Sequence, residues 1–278
     1  MTSTTPDPAT DTDTGLFGPH SVTWRAHLEP VLIVGGLRAL IMQALHPWVM
    51  LGTYQNSALF DPAKAFARFQ RTAEFVEVRT YGTTAEVEAA ARRVRGLHAK
   101  LRGHDPRTGR AFRLDDPQLL LWVHCGEIDS YVDIARRAGI LDDADADRYV
   151  AESARAAALV GAAPAPTTRA GLAAYFTEVR PRLRLTDEAI VGTTNLLTAR
   201  LPVPRAVKLI QPPIAALGFA TMPRWARRLY GAPGLPTTDA AATLALRALR
   251  ATAARLPGPR EPPRMQRARR LMAEAGRS

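Results

Sequence analysis

Apolar residues recur along most of the chain at helical spacing, and no stretch alternates apolar and polar residues with a strand's period of two. The clearest element is Val31–Leu45, VLIVGGLRALIMQAL, stopped by His46-Pro47. Arg38, Gln43 and Pro47 interrupt the apolar run that continues to Leu51, so it predicts a buried central helix rather than a membrane span. A second helix is predicted over Pro62–Thr80, with Asp61 as N-cap and Pro62 in the first helical position. Gly82 ends it, and Thr83 with Glu86 forms a capping box that opens a third helix through Arg102, closed by Gly103. After the basic loop HDPRTGRAFR, Asp116-Pro117 starts a fourth helix ending at Gly139. Further helices are predicted at 143–160, 168–180, 186–199, 212–230, 238–256 and 264–275, separated by Pro-bearing connectors. Residues 1–15 predict a disordered tail, 16–256 a single all-α multi-helix domain, and 257–278 a basic C-terminal tail or helix.

Composition narrows the chemistry. Hydrophobic residues make up 46% and charged residues 23%, as in a globular chain. One cysteine, Cys125, excludes an intrachain disulfide and any multi-thiolate metal site, and its place predicts a small core residue. The polar, acidic start lacks the basic segment and apolar run of an export signal, so the expected location is cytoplasmic. The net charge is +11, yet residues 1–199 carry 22 Lys/Arg against 23 Asp/Glu and residues 200–278 carry 15 against 3. With no zinc-finger spacing and no Arg/Lys–aromatic motif, nucleic acid is not the expected partner. The basic quarter reads as a solvated helix face, with weak contact to an anionic membrane surface as the sharper alternative.

Three histidines lie among apolar residues. His98 shares a stripe with Val87, Ala91, Val94 and Leu101; His124 shares one with Leu120, Ile128 and Tyr131, beside Glu127; His46 closes the first helix. A core histidine with satisfied hydrogen bonds explains any one of them, but each buried imidazole needs partners for both nitrogens, and iron is a candidate partner. In ARFQRT, Arg68, Arg71 and Thr72 fall on one helical face beside Phe75 and Val76, which reads equally as a salt-bridged surface or as a polar pocket poised for an anion or polarised oxygen. No GxSxG, Walker loop, GxGxxG or HExxH is present.

The blocks LFGPHSVTWRAH, GGLRALIMQALHPWVMLG, RFQRT, YGTTAEVEAAARRVRGLHAKLRG, DDPQLLLWVHCGEIDS and DRYVAES together resemble the bacterial family grouped with latex-clearing protein (rubber oxygenase) and the fungal MpaB oxygenases, over residues 16–255. The resemblance implies an all-α fold, globin-like in parts, around b-type haem. It implies His98 as the proximal iron ligand, with His46 and His124 as motif residues that could replace it, and Arg68, Arg71 and Thr72 in the pocket. Rubber oxygenase has a lysine where this chain has Arg71, and a guanidinium has no lone pair to give iron. It also uses a pocket glutamate upstream of this motif; between His46 and Arg68 this chain has only Asp61. The implied activity is therefore a haem-dependent oxygenase using dioxygen or peroxide on an apolar small molecule or lipid-like substrate, not polyisoprene. A non-catalytic haem or ligand carrier, and a cofactor-free helical protein whose basic C-terminus binds membrane or a partner, are the alternatives.

Overall fold

The computed structural model describes residues 12–56, 62–198, 205–255 and 261–277. Within them the chain is helical apart from one small hairpin. The centre is α6 (Pro117–Arg137), opened by the Asp116 carboxylate accepting from the Gln118 amide, with Gly139 in the left-handed conformation (φ 71°) just past its end. Against it lies α2 (Ile33–Gln43), preceded by the short α1 (Val22–His27) and a 3-10 turn (Pro30–Leu32). Glycine permits the close approach: a Cβ on Gly35 would stand 2.8 Å from Cδ1 of Tyr131. Arg38, in the middle of that helix, is 1% exposed and pairs with Asp129 (2.8 Å) and Ser130 Oγ (2.8 Å). Its partners explain how an arginine sits in a core helix.

Four further helices position the site: α3 (Pro47–Asn56), α4 (Pro62–Tyr81), α5 (Thr84–His98) and α7 (Asp143–Val160). The capping box of Thr83 and Glu86 is present as expected, and it folds α5 back against α4. α4 also packs on α1, and α5 on α7. The chain then continues through α8 (Arg169–Val179), α9 (Asp187–Thr198), α10 (Arg205–Thr221), α11 (Arg224–Leu229), α12 (Pro236–Ala253) and α13 (Pro263–Ala275). The main core joins Ile41, Met42, Leu45, Trp122, Ile134 and Tyr149 with residues of α8 and α12.

Three expectations are corrected. The third helix stops at His98, and the basic loop is an antiparallel hairpin, β1 (Arg102–Asp105) with β2 (Arg110–Arg113). The side chain of Phe112 takes the place of one at Gly103, where a Cβ would lie 2.1 Å from the ring, and Trp48 stacks on that ring at 5.0 Å while donating to Asp105. Pairing across the hairpin and an aromatic from α3 thus override a sequence with no alternation. The helix expected over 212–230 instead begins at Arg205, carries Pro212 and Pro213 inside it, and breaks before Pro223. The C-terminal segment is a helix, α13, with one side docked: Ala268 is buried with Trp24, Leu28 and Tyr81, and Arg264 pairs with Glu86 and Glu77. Of the expected N-terminal tail, residues 1–11 lie outside the described residues, as does the Asp61 cap; Asp13 is held by the amide and hydroxyl of Thr84.

Candidate functional site

The α4/α5 hairpin places Arg68 and Thr72, one turn apart, near His98 at the end of α5. The Arg68 guanidinium donates to the Thr72 hydroxyl, which in turn donates to the Arg68 carbonyl at 3.2 Å. Burial, and then the neighbouring Arg71, lowers the pKa of Arg68. His98 is half-buried, and its Nδ1 is buried without a hydrogen-bond partner. Burial first, and the charge of Arg68 second, lower its pKa, with Asp115 opposing them. The imidazole therefore has a partly buried cation near it, and that cation is held in turn by the Thr72 hydroxyl. Arg71, expected on the same inward face, is exposed instead, because α4 turns Arg68 and Thr72 inward and leaves the i+3 position in solvent.

Further along α4 lies a second polar cluster. α4 does not pack along α6; Arg79 spans to Glu127, donating to both carboxylate oxygens at 2.7 and 3.1 Å. His124, one turn before Glu127, is 6% exposed. Burial pushes its pKa down to about 4 despite the Glu127 carboxylate. On α1, His27 lies 2.8 Å from the Tyr149 hydroxyl through Nε2, and its ring meets Tyr131 edge-on at 4.7 Å. Burial and the nearby Arg79 push His27 down to about 3, so it is neutral and shares one hydrogen bond with the Tyr149 hydroxyl.

The predicted residues thus divide. Arg68, Thr72 and His98 come together; His124 belongs with Arg79 and Glu127; His46 stands apart at the α2–α3 corner, its ring 6.0 Å from Trp122 and its pKa pushed down to about 4 by burial, with Arg182 and Arg184 adding to it. Its Nδ1 is also buried without a partner. Cys125 is a core residue whose thiol burial pushes up to about 12. The sequence did not single out His27, Arg79 or Tyr149, since a six-residue helix carries no periodicity and the cluster forms only when α1, α4, α6 and α7 meet.

An apolar pocket lies between α2, α3, α4 and α9, walled by Leu40, Ile41, Ala44, Met50, Phe69 and Leu196, with Gln43, Thr53, Thr193 and Asn195 as its polar members. Phe69 follows Arg68 on α4, so this pocket abuts the helix that carries the polar group. Among the described residues no three His, Cys, Asp or Glu side chains are placed to hold a bare metal ion together.

Over residues 24–255 the chain matches the family described as the ER-bound oxygenase mpaB/B′/Rubber oxygenase, catalytic domain. Comparison with curated proteins and with solved structures gives no match. The matched span takes in α2 to α12, both polar clusters and the apolar pocket, and the chain therefore belongs to the mpaB/rubber oxygenase catalytic-domain family and carries an oxygenase-type catalytic domain.

Proposed function

We propose that the protein is a haem-dependent oxygenase acting on an apolar small molecule or lipid-like substrate, with haem b held by His98. The observation that carries this reading is the convergence of Arg68, Thr72 and His98, with a buried His98 nitrogen that no protein group satisfies. The donor set fits the group: a single neutral imidazole offers a lone pair, as needed for a metal whose other ligands come from a macrocycle. Haem, when bound, would supply redox-active iron for chemistry with dioxygen or peroxide.

The chain's own residues have distinct tasks in this reading. Burial and Arg68 keep His98 deprotonated near neutral pH, so its lone pair is available. Arg68 contributes a fixed positive charge and fork-like donors, and Thr72 fixes its orientation. The pocket against Phe69 excludes water and receives the apolar substrate. Rubber oxygenase has a lysine where this chain has Arg71, whose guanidinium has no lone pair to give iron, and a pocket glutamate where this chain offers only Asp61 between His46 and Arg68; both separate this chain from chemistry on polyisoprene.

The test is spectroscopic. Protein produced with ample haem precursor, or reconstituted with hemin, is expected to show a Soret band that His98→Ala removes or strongly shifts. Absence of the band in the wild type overturns the reading, and loss in His124→Ala or His46→Ala with a wild-type spectrum in His98→Ala moves the ligand.

A further inference from the structure

Helices α9 and α10 pack on each other, and both are uncharged over long stretches: Ala189–Thr198 in the first and Leu209–Pro223 through the second and just past its end. Solvated helix faces ordinarily carry charge. Here α10 instead exposes Leu209 (80%) and Ile210 (58%), and Leu209, Pro213 and Ala216 form one exposed stripe at i, i+4 and i+7. α9 adds Ile190 and Val191, each close to half exposed. The described cation lies at one end: Lys208 is exposed beside Leu209. The acids Asp187 and Glu188 start α9 at the opposite end. Behind this surface, Gly192, Thr193, Asn195 and Leu196 of α9 wall the apolar pocket.

We propose that the α9/α10 face docks on a lipid bilayer bearing anionic headgroups. Its aliphatic side chains enter the acyl boundary, Lys208 meets the headgroups, and the pocket behind α9 lies next to a reservoir of apolar molecules. Attachment is interfacial. Among the described residues no single helix is long and apolar enough to cross a membrane, and the one pair that reaches the length, residues 30–56, bends by 100°. α2, its longer part, is mostly buried in the core. This assigns membrane contact to a different surface from the basic C-terminal helix, whose Arg264 and Arg269 are engaged by Glu77, Glu86 and Glu261.

The experiment is co-sedimentation of the full chain with phosphatidylcholine vesicles, with and without phosphatidylglycerol, and it needs no cofactor, so its failure is separate from that of the haem reading. Wild type is expected to bind the anionic vesicles, less so in high salt. The double variant L209S/I210S is expected to bind at least about tenfold more weakly, as removal of two aliphatic groups from hydrocarbon implies. Both positions are exposed, so helical circular dichroism should be unchanged. Leu244→Ser, on the exposed face of α12, is expected to bind as wild type does. Failure of the wild type to bind, retained binding in L209S/I210S, or equal loss in Leu244→Ser overturns the proposal. So does a dimer that L209S/I210S converts to monomer with vesicle binding unchanged, since a second copy then covers the face.

Discussion

Arg79 grips both carboxylate oxygens of Glu127, at 2.7 and 3.1 Å, and this pair ties α4 to a core helix along which it does not pack. Both side chains are largely buried, at 8% and 15% exposed, so removing one partner strands a charge in a poorly solvated place. Arg79→Ala or Glu127→Ala should each lower stability by about 3–5 kcal/mol, the usual cost of breaking a buried pair. The double alanine variant should cost less than the two singles added together. Urea denaturation of all four proteins checks this; single losses below about 1 kcal/mol would show that water reaches the pair.

This pair also marks how far the sequence was readable. The capping box at Thr83, the Asp116-Pro117 start and the Gly139 stop are local signals, each contained in a few residues, and they appear where the spacing puts them. Arg68, Thr72 and His98 were legible because helical period and an intervening turn suffice to bring them together. Arg79–Glu127 and His27–Tyr149 join residues 48 and 122 positions apart, and nothing local encodes such a meeting. The 102–113 hairpin was missed for the same reason, its stability coming from Trp48 stacked on Phe112 rather than from alternation.

The α2–α6 seam should be sensitive to one methyl group and tolerant of its neighbour. A Cβ on Gly35 meets the Tyr131 ring at 2.8 Å, so Gly35→Ala forces the seam apart and should cost about 1–3 kcal/mol. At Gly36 the same atom meets the Tyr131 hydroxyl at 3.4 Å, close to ordinary contact. There the gain in helix propensity, about 0.5–1 kcal/mol, should leave Gly36→Ala as stable as wild type or more so. Thermal melts of the two variants decide it; equal destabilisation would refute the close contact at Gly35.

Acid should weaken the fold well before the carboxylates titrate. His27, His46 and His124 are held neutral, with pKa values near 3, 4 and 4 against about 6.5 unfolded. Between those values the unfolded chain binds more protons, so stability falls as pH drops through 6.5 and goes on falling toward 4. At pH 5 each histidine accounts for about 2 kcal/mol of loss. The denaturation midpoint should drop steeply from pH 7 to pH 5, and His124→Gln should flatten that drop. A midpoint independent of pH over this range would contradict the burial of these rings.

Deleting residues 257–278 should destabilise the protein. The deletion uncovers Trp24, Leu28 and Tyr81 and releases Glu77 and Glu86 from Arg264. Trp24 is fully buried and its indole N–H donates to the Thr80 carbonyl at 2.6 Å, so its fluorescence should shift to longer wavelength. The truncated chain should melt several degrees lower, since each kcal/mol lost is worth about 2–4 °C in a chain of this size. An unchanged melt and spectrum would mean that α13 is only resting on the surface.

The polar group on the α4/α5 hairpin separates two arginines that the sequence could not tell apart. Arg68 is turned inward onto the Thr72 hydroxyl, whereas Arg71 stands in solvent. Arg68 is the charge whose proximity helps hold the His98 imidazole neutral, after burial itself. Arg68→Ala should therefore raise the His98 pKa, and a nuclear magnetic resonance titration of the ring reads this without any cofactor. The sign follows from removing a like charge, which no longer disfavours the imidazolium. Arg71→Ala should leave that titration nearly in place, because an exposed guanidinium is screened by water and salt. If hemin binds at His98, Arg68→Ala should also weaken its binding by on the order of tenfold or more, the loss of one charge-assisted hydrogen bond, while Arg68→Lys recovers part of it. An upward shift of the His98 titration in Arg71→Ala but not in Arg68→Ala would return the inward role to Arg71 and require α4 to be rotated by one residue.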